Sequence, residues 1–272
     1  MSTDLDERAA TDEFVAAWQD WKADRERGLA EPFGWLALVS LDWLSETPRR
    51  YGGLPGLWWQ DEEAAYLDPD GGELTRDGAP VTGVTRFELV NSGAGTRVSA
   101  GEVEIEIARR SGYLIRVHDP KAAALHAFRG VPSYAPAESW ALTGTFEPFD
   151  EPRPTQVGAV VEGLGHVYVA PGVVRFTHEG AEHTLTAFNG KQAGSLMILF
   201  TDETSGTTTY AANRSLSLAA PDADGTVRLD FNRATNLPCA FTDFATCPLP
   251  PAGNHLPFAV TAGEQIPYER QN

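Results

Sequence analysis

Several polar and charged side chains in this sequence have the chemistry and the placement expected of a ligand-binding site. Most of them lie where a predicted strand ends and the chain turns. The candidates are Arg116, Asp119, Asp202, Ser205, Tyr210, Arg214, Asn232 and Arg233. Guanidinium, carboxylate, hydroxyl and amide groups that converge on one pocket fix the orientation of a small ligand. We therefore predict that these residues bind a ligand, and the sequence assigns no catalytic residue.

The stretch R-V-H-D-P, residues 116–120, places two of these candidates at the end of a predicted strand. Arg116 and His118 point to the same face of such a strand, and Asp119 opens a turn before Pro120. A histidine beside an aspartate can serve as a general base, but neighbouring residues in a strand project to opposite faces. His118 and Asp119 therefore cannot orient each other, and the pattern favours a turn-capping role for Asp119.

The stretch T-D-E-T-S-G-T-T-T-Y, residues 201–210, supplies the second group of candidates. Its hydroxyl groups and free peptide N–H groups could bind a phosphate or a carboxylate with the help of Arg214. The pattern favours the alternative, a turn at Ser205 and Gly206 followed by a strand over residues 207–214. The sequence contains no G-x-S-x-G motif, so nothing indicates a serine nucleophile.

Residues 230–257 combine both cysteines with a high density of proline, which disfavours a helix and a central strand. We expect this segment to form an ordered, irregular wrap over the sheet. Such a wrap must satisfy its backbone groups through side chains. Asn232 and Arg233 should therefore form a polar network with residues 202–210 or with the turn at residues 116–119. Glu264 is either a partner of an arginine, Arg233 or Arg214, or a solvated acid.

Cys239, Cys247 and His255 follow one another at equal spacing, which raises a metal site as one interpretation. Structural zinc sites are normally marked by a C-x(2–4)-C pair, which this sequence lacks. His178 and His183 flank one predicted hairpin turn closely enough to share a metal, but the other histidines are dispersed. We therefore predict buried, reduced thiols and no metal.

Residues 200–214, F-T-D-E-T-S-G-T-T-T-Y-A-A-N-R, and the carboxy-terminal segment together resemble a family of bacterial and archaeal proteins, domain of unknown function 1684. The resemblance extends from F-G-W-L-A-L-V-S-L-D-W-L at residues 33–44 to A-G-E at residues 262–264. This sequence departs from the family pattern at Thr235, where a tyrosine is usual, and at Leu237, where the first of two prolines is usual. The resemblance implies no activity, no ligand and no catalytic residues.

One helix followed by many strands would position these residues. Residues 12–29 carry a stripe at helical spacing, which predicts an amino-terminal helix capped by Thr11 or Asp12. The stripe consists of Phe14, Ala17, Trp18, Trp21 and Arg25. Later segments, residues 81–90 and 101–110 among them, have the composition or alternation of strands, and turns at Ser111 and Gly180 join neighbours into hairpins. The pattern predicts about a dozen strands.

So many hairpin-linked strands cannot stay in one open twisted sheet. We predict a mainly β fold: an antiparallel closed or split β-barrel, or a two-sheet sandwich, with one amino-terminal helix and a proline-rich carboxy-terminal wrap. We also predict a single domain over residues 1–272. Within it, residues 1–30 hold the helix, residues 31–229 the barrel-like body and residues 230–272 the wrap.

The formal net charge of −17 argues against two kinds of partner, nucleic acid and anionic membrane surfaces, because phosphate groups would be repelled. Hydrophobic residues make up 42% of the 272 residues, which is enough for a sizeable core. The start M-S-T-D-L-D-E-R is acidic, unlike a signal peptide, and no apolar run approaches the roughly 18 residues of a membrane span. We expect a cytoplasmic protein.

Two classes of function are consistent with these patterns. The first is a β-barrel protein that binds a small molecule, which includes enzymes of hydrolytic or flavin-dependent type. The second is a non-enzymatic interaction protein in which the carboxy-terminal motif only closes the barrel. The nucleotide motifs G-x-G-x-x-G and G-x(4)-G-K-[ST] are absent, whereas a flavin site in a barrel needs no compact motif. The sequence leaves the cofactor and the oligomeric state undetermined.

Overall fold

The computed structural model describes residues 11–161 and 163–271. Contacts group the chain into two compact units. The N-terminal β unit consists of Arg27–Arg129 and Thr242–Thr246, and the C-terminal β unit consists of the chain up to Glu26, Gly130–Phe241 and the chain from Cys247 onward. Each unit has its own hydrophobic core. The single domain expected from the sequence, with boundaries at residues 30 and 229, stays a prediction.

Helix α1 spans Asp12–Leu29, the range that the apolar stripe predicted. Thr11 caps it, because the Thr11 hydroxyl accepts the peptide N–H of Phe14 at 3.3 Å. Trp18 on the stripe is buried, and its indole N–H donates to the carbonyl oxygen of Asn232 at 2.9 Å. The tryptophan therefore fixes the helix against the start of the carboxy-terminal segment.

The N-terminal β unit is built from short antiparallel strands. Its elements are β1 (Leu38–Trp43), β2 (Leu57–Gln60), β3 (Ala65–Asp68), β4 (Thr75–Arg76), β5 (Ala79–Pro80), β6 (Thr85–Phe87), β7 (Thr96–Ala100), β8 (Val103–Arg110), β9 (Gly112–His118) and helix α2 (Ala123–Ala127). They form a six-stranded sheet in the order β1-β9-β8-β7-β4-β5 and a three-stranded sheet in the order β2-β3-β6. The hairpin of β8 and β9 turns at Ser111, as the sequence predicted.

The C-terminal β unit is built on one larger sheet. Its strands are β10 (Ala141–Gly158), β11 (Gly165–His178), β12 (Ala181–Asn189), β13 (Leu196–Asp202), β14 (Arg214–Leu218), β15 (Thr226–Asp230), β16 (Thr235–Asn236) and β17 (His255–Leu256). The sheet has eight strands in the order β15-β10-β11-β12-β13-β14-β16, with β17 beside β13. Only β17 pairs in parallel among these described strands.

The eight-stranded sheet curls into a half-barrel, and β14 and β15 contact each other although they lie far apart in the strand order. Alternate residues of β11 and β12, such as Phe176 and Leu185, face the inside and form the core. The carboxy-terminal segment adds Leu256, Val260 and Ala262 to the same core. The wrap therefore fills the inside of the curled sheet in addition to covering it.

The prediction of a mainly β, antiparallel fold with one long amino-terminal helix is confirmed. The sheet topology is consistent with the predicted split barrel or sandwich. Within the described residues, no helix is both long enough and apolar enough to cross a membrane.

Two predicted strands differ from the structure. Residues 207–214 form a turn up to β14, because the carbonyl oxygen of Thr204 accepts the peptide N–H groups of Thr207, Thr208 and Thr209 at 3.0–3.1 Å. Residues 81–90 contain only the short β6. In that segment the peptide N–H of Leu89 donates to the Tyr113 hydroxyl instead of to a neighbouring strand.

Gly144 in β10 provides a test of the close packing between β10 and its neighbours. A Cβ atom at this position would lie 2.5 Å from the Arg175 carbonyl oxygen and 2.7 Å from a methyl group of Leu229. We expect Gly144→Ala to lower the free energy of unfolding by about 1–3 kcal/mol, because an overpacked core must shift backbone atoms. Urea denaturation measures the difference.

Gly165→Ala in β11 is the matched control, since the nearest atom to its Cβ would lie at 3.6 Å. We expect that variant to stay within about 0.5 kcal/mol of the parent protein. Equal stability of the two variants would contradict the strand packing described above.

Candidate functional site

Arg116 lies in a buried ionic cluster of the N-terminal β unit. Its guanidinium Nη1 is 3.2 Å from Glu106 Oε2, the side chain directly across the β8–β9 pair. His118 Nε2 lies 3.3 Å from the same oxygen, and His118 Nδ1 lies 3.1 Å from the carbonyl oxygen of Gly34. The ring nitrogens of His118 and one carboxylate oxygen of Glu106 are thus occupied by protein groups. The cluster has the features of a structural ion pair.

Electrostatics in this cluster keep Glu106 ionised. Burial raises the pKa of Glu106, but the hydrogen bond from His118 and the charge of Arg116 together outweigh burial and lower it. Asp119 lies outside the cluster: its Oδ1 accepts the peptide N–H of Lys121 at 2.8 Å. This contact is the turn-capping geometry that the sequence favoured for Asp119.

Asp202 and Arg214 form a buried ion pair in the C-terminal β unit. Arg214 Nη2 lies 2.9 Å from Asp202 Oδ2, and both side chains are 1% exposed. Asp202 Oδ1 also accepts the peptide N–H of Thr204 at 2.8 Å, the Thr204 hydroxyl at 2.6 Å and the peptide N–H of Val260 at 3.1 Å. Every polar contact of the carboxylate is therefore made within the protein.

The Arg214 guanidinium binds the carboxy-terminal segment through its backbone. It donates to the carbonyl oxygens of Val260 at 3.0 Å and Glu264 at 3.3 Å, and also to that of Ala262. Burial lowers the pKa of Arg214, and the charge of Asp202 opposes this shift. Arg214 thus attaches the wrap to β13 and β14.

Glu264 extends this network to helix α1. Its Oε1 lies 2.9 Å from Arg25 Nε, and its Oε2 accepts the peptide N–H of Asn236 at 2.6 Å. Arg25 Nη2 donates to the carbonyl oxygen of Asn236 at 2.9 Å. The sequence proposed Arg233 or Arg214 as the partner of the Glu264 carboxylate, but the structure shows that Arg25 pairs with it. Arg25 belongs to the helical stripe, so its inward direction was visible in the pattern.

Within the described part of the C-terminal β unit, Asn232 and Arg233 make no recorded contact with residues 202–210, so that part of the predicted network is wrong. Asn232 exchanges hydrogen bonds of 2.9 Å with the peptide N–H and carbonyl oxygen of Ala137. Arg233 pairs with Asp230 at 3.5 Å, and its side chain is 41% exposed. Ala141, the first residue of β10, pairs with Asp230, the last residue of β15. Asn232 and Arg233 follow directly after Asp230 and therefore lie near the start of β10.

The remaining candidates have local roles. The Ser205 hydroxyl accepts the peptide N–H of Asp202 at 3.1 Å, and the Tyr210 hydroxyl donates to the carbonyl oxygen of Cys239 at 2.9 Å. The Asp202–Arg214 ion pair is the one direct side-chain contact recorded between predicted site residues in the described chain. The predicted residues therefore have partners within the fold in both β units.

A different group of residues lies at the open end of the curled sheet. The imidazole cluster consists of Trp140, His178, His183 and Phe258, and each of its rings is partly exposed. His178 and His183 lie on opposite sides of the β11–β12 turn, on the strand faces that carry core residues Phe176 and Leu185. The inner face of the sheet thus ends in aromatic rings.

The rings of the imidazole cluster contact one another, some in stacked and others in tilted or edge-to-face geometry. The centroid of His178 lies 5.0 Å from that of Trp140 and 4.4 Å from that of Phe258. His183 lies 4.9 Å from Phe258, and Trp140 lies parallel to Phe258 at 6.4 Å. The charged groups of the ion pairs described above have hydrogen-bond partners within the protein. By contrast, the structure records no hydrogen bond to the ring nitrogens of Trp140, His178 or His183 within the described residues.

The surroundings keep His178 neutral near pH 7. Burial lowers its pKa, the nearby carboxylate of Glu179 opposes this, and the imidazole of His183 lowers it further. A neutral imidazole carries one hydrogen-bond donor and one acceptor. The cluster therefore offers apolar ring surface together with several ring nitrogens that can bind a ligand.

A small cleft in the N-terminal β unit is a weaker candidate. It has a volume of about 180 Å³ and is lined by groups that include Gln60, Asp61, Arg109 and Tyr113. Ligand pockets commonly measure about 300–1,000 Å³. The Gln60 amide is already bonded to Leu44 and Tyr113. Among the described residues, no group of three or more His, Cys, Asp or Glu could hold a metal ion.

The sequence of this chain matches a known family over residues 126–265, a region that contains β10–β17, the imidazole cluster and both cysteines. The family is described as "Protein of unknown function (DUF1684)". The chain belongs to this family. Strands β1–β9 lie outside the matched DUF1684 region, so the resemblance seen at residues 33–44 is not part of it.

The solved structures that match include a solution NMR structure of an uncharacterized protein from Haloarcula marismortui. It shares 29% sequence identity with this DUF1684 member, with a TM-score of 0.45, and the match covers 53% of this chain and 80% of that one. The search of curated proteins gave no match.

The buried ion pair provides a test of the structural role of Arg214. Arg214→Ala leaves the Asp202 charge buried without its partner and frees several backbone carbonyl groups. We expect a loss of about 3–5 kcal/mol in the free energy of unfolding, measured by chemical denaturation. Arg228→Ala is the matched control, because that side chain is 64% exposed and lies 3.8 Å from its acidic partner. The control should lose at most about 1 kcal/mol, and an equal loss in both variants would contradict the structural role.

The lowered pKa of His178 predicts how the free energy of unfolding depends on pH. Because this pKa is lowered in the folded protein, the unfolded chain, with a histidine pKa of about 6.5, binds the proton more readily. The stabilising contribution is present above pH 6.5 or so and is lost as the pH falls below it. We expect the free energy of unfolding to fall less steeply between pH 7.5 and 5.5 in His178→Gln than in the parent protein. Identical slopes of the free energy of unfolding against pH in the two proteins would show that the pKa of His178 is not lowered in the folded protein.

Proposed function

We propose that this member of the DUF1684 family is a small-molecule-binding protein, and that its ligand is a planar heteroaromatic compound that binds at the imidazole cluster. The single observation that supports this most is the set of partly exposed rings whose nitrogens make no recorded hydrogen bond among the described residues. Native proteins normally pair such polar groups, except where water or a ligand reaches them.

The position of the cluster supports the proposal. It lies where the inner face of the curled sheet ends, and the mouth of a β-barrel is a common place for ligand sites. Three separate parts of the chain supply its rings: the short 3₁₀ helix Glu138–Trp140, the β11–β12 hairpin, and the carboxy-terminal segment at Phe258. Rings held by three elements are fixed in direction, which lowers the entropy cost of binding.

The chemistry of the cluster indicates the class of ligand. Aromatic rings bind planar conjugated systems by stacking, and each stacked base or ring contributes about 1–3 kcal/mol. Neutral imidazole nitrogens then add one donor and one acceptor to polar atoms at the edge of the ligand. A flavin, a purine and other fused heterocycles have both features. We assign ligand binding, and no chemical reaction, to the imidazole cluster.

The alternative is a non-enzymatic interaction protein in which the carboxy-terminal segment only closes the sheet. One observation favours it: Leu256, Val260 and Ala262 lie in the core, and Arg214 holds the same segment through its backbone. This arrangement accounts for the wrap, but it does not account for the partly exposed cluster at the end of the sheet. We therefore place binding first.

Riboflavin titration tests the proposal, because stacking on a tryptophan quenches the fluorescence of the flavin. We expect saturable quenching by the full chain and about a tenfold weaker Kd for Trp140→Leu, since one stacking partner is lost. Adenosine and quinoline, followed by NMR line broadening, extend the test to other planar rings.

The matched control is Trp43→Leu, which removes a tryptophan that is 37% exposed in the other β unit. It should bind as the parent protein does. If none of the three compounds binds with a Kd below about 1 mM, or if both tryptophan variants weaken binding equally, the proposal is wrong. Native mass spectrometry of the purified protein gives an independent check, because it detects any heteroaromatic compound that copurifies.

A further inference from the structure

Cys239 and Cys247 lie in contact in the C-terminal β unit, and neither forms a disulfide. The peptide N–H of Cys239 donates to the sulfur of Cys247 at 3.2 Å. Because this nitrogen is only two bonds from the Cβ of Cys239, the Cys247 sulfur lies beside the Cys239 side chain. Neither thiol takes part in the Asp202–Arg214 network or in the imidazole cluster.

Hydrogen-bond donors surround Cys239. The Cys247 thiol lowers the pKa of Cys239, burial opposes this, and the peptide N–H of Cys239, the Tyr210 hydroxyl and the peptide N–H of Ala240 lower it further. The reactive form of cysteine is the thiolate, and the lowered pKa of Cys239 increases the fraction of this side chain that is thiolate. Burial and Cys239 raise the pKa of Tyr210 to about 12, so its hydroxyl stays protonated and keeps its hydrogen bond to the carbonyl oxygen of Cys239.

We propose that Cys239 and Cys247 are a modification site at which a small hydroperoxide forms a reversible disulfide. The Cys247 sulfur already lies against Cys239, and two cysteines must be close neighbours to form a disulfide. Cys239 is 4% exposed and Cys247 is 6% exposed. These small exposed fractions favour a small oxidant such as hydrogen peroxide over a larger one such as glutathione disulfide.

The reaction proceeds in two balanced steps. The Cys239 thiolate attacks one oxygen of hydrogen peroxide, the O–O bond breaks, and the departing hydroxide takes up a proton to form water. Cys239 is now a sulfenic acid. The Cys247 sulfur then attacks the Cys239 sulfur, the S–O bond breaks, and a second water leaves with the proton of the Cys247 thiol. Two thiols are oxidised to one disulfide, and one hydrogen peroxide is reduced to two waters.

Mass spectrometry of the full chain tests the proposal. The protein is reduced, freed of reductant and treated with hydrogen peroxide, which catalase then removes. It is next unfolded in the presence of N-ethylmaleimide, which alkylates the remaining thiols, and digested with trypsin. Both cysteines fall in one peptide, because the sequence has no Lys or Arg between Arg233 and Arg270. We expect this peptide to be unalkylated and lighter by two hydrogen atoms, and dithiothreitol should restore two alkylated thiols.

Single-cysteine variants test the order of the steps. Without a resolving thiol, Cys247→Ser should accumulate sulfenic acid at Cys239, which dimedone traps. Cys239→Ser should keep an unmodified Cys247 under the same conditions. Glutathione disulfide should oxidise the folded parent protein at least tenfold more slowly than an equal concentration of hydrogen peroxide.

Three results would overturn the proposal. They are two alkylated thiols after the peroxide treatment, a sulfinic acid at Cys239 of the parent protein, and equal oxidation of Cys247 in Cys239→Ser. Circular dichroism before and after treatment shows that the oxidised chain was folded. The proposal does not depend on the imidazole cluster, so loss of riboflavin binding leaves it unaffected.

Discussion

The buried pair of Asp202 and Arg214 is the interaction on which the C-terminal β unit depends. The carboxy-terminal segment is rich in proline and poor in regular structure, so its carbonyl groups find few partners in a strand ladder. Arg214 supplies donors to several of them, and Asp202 compensates the charge that this arginine brings into the core. Burying one of the two without the other would cost more than the pair contributes. Arg214 is therefore one of the groups that fix the segment, and several of the segment's own polar side chains, Asn254 and Glu264 among them, are bonded within the protein as well.

This constraint also explains why the ligand site is proposed elsewhere. The Asp202 carboxylate and both terminal nitrogens of Arg214 already have partners within the protein, and the cluster around Glu106 and Arg116 is similarly held by an ion pair. The rings of Trp140 and His178 at the end of the curled sheet are packed by stacking, so their nitrogens keep their hydrogen-bonding capacity. Stacking fixes the position of the rings without using their polar atoms. Polar atoms consequently stay able to bind a ligand where apolar contacts, and not hydrogen bonds, hold the side chains.

The sequence predicted those features that depend on local pattern. Helix α1 begins and ends where the apolar stripe and its cap placed it, because capping and helical spacing are local properties. The threonines at residues 207–209 misled the prediction, since their β-branched side chains favour a strand while the Thr204 carbonyl oxygen binds their peptide N–H groups in a turn. Arg214 and Asp202 were expected to bind a ligand, because a charged residue in a sequence looks the same whether its partner is a ligand or another side chain. The imidazole cluster could not be predicted as a whole, because only strand pairing and the path of the wrap bring Trp140 and Phe258 to the β11–β12 turn.

The cysteine pair and the imidazole cluster both involve the carboxy-terminal segment, yet the structure separates them physically. Between Cys247 and Phe258 the chain is anchored by Asn254, whose side chain accepts the peptide N–H of Thr186 at 2.8 Å and donates to the carbonyl oxygens of Thr186 and Leu199. Strand β17 then pairs with β13 immediately after this anchor. Asn254 is 1% exposed, so its bonds are shielded from water and are costly to break. A cross-link at the cysteines therefore acts on the chain before Asn254, while Phe258 keeps its place in the ring stack, and oxidation and ligand binding are expected to be independent properties of the same segment.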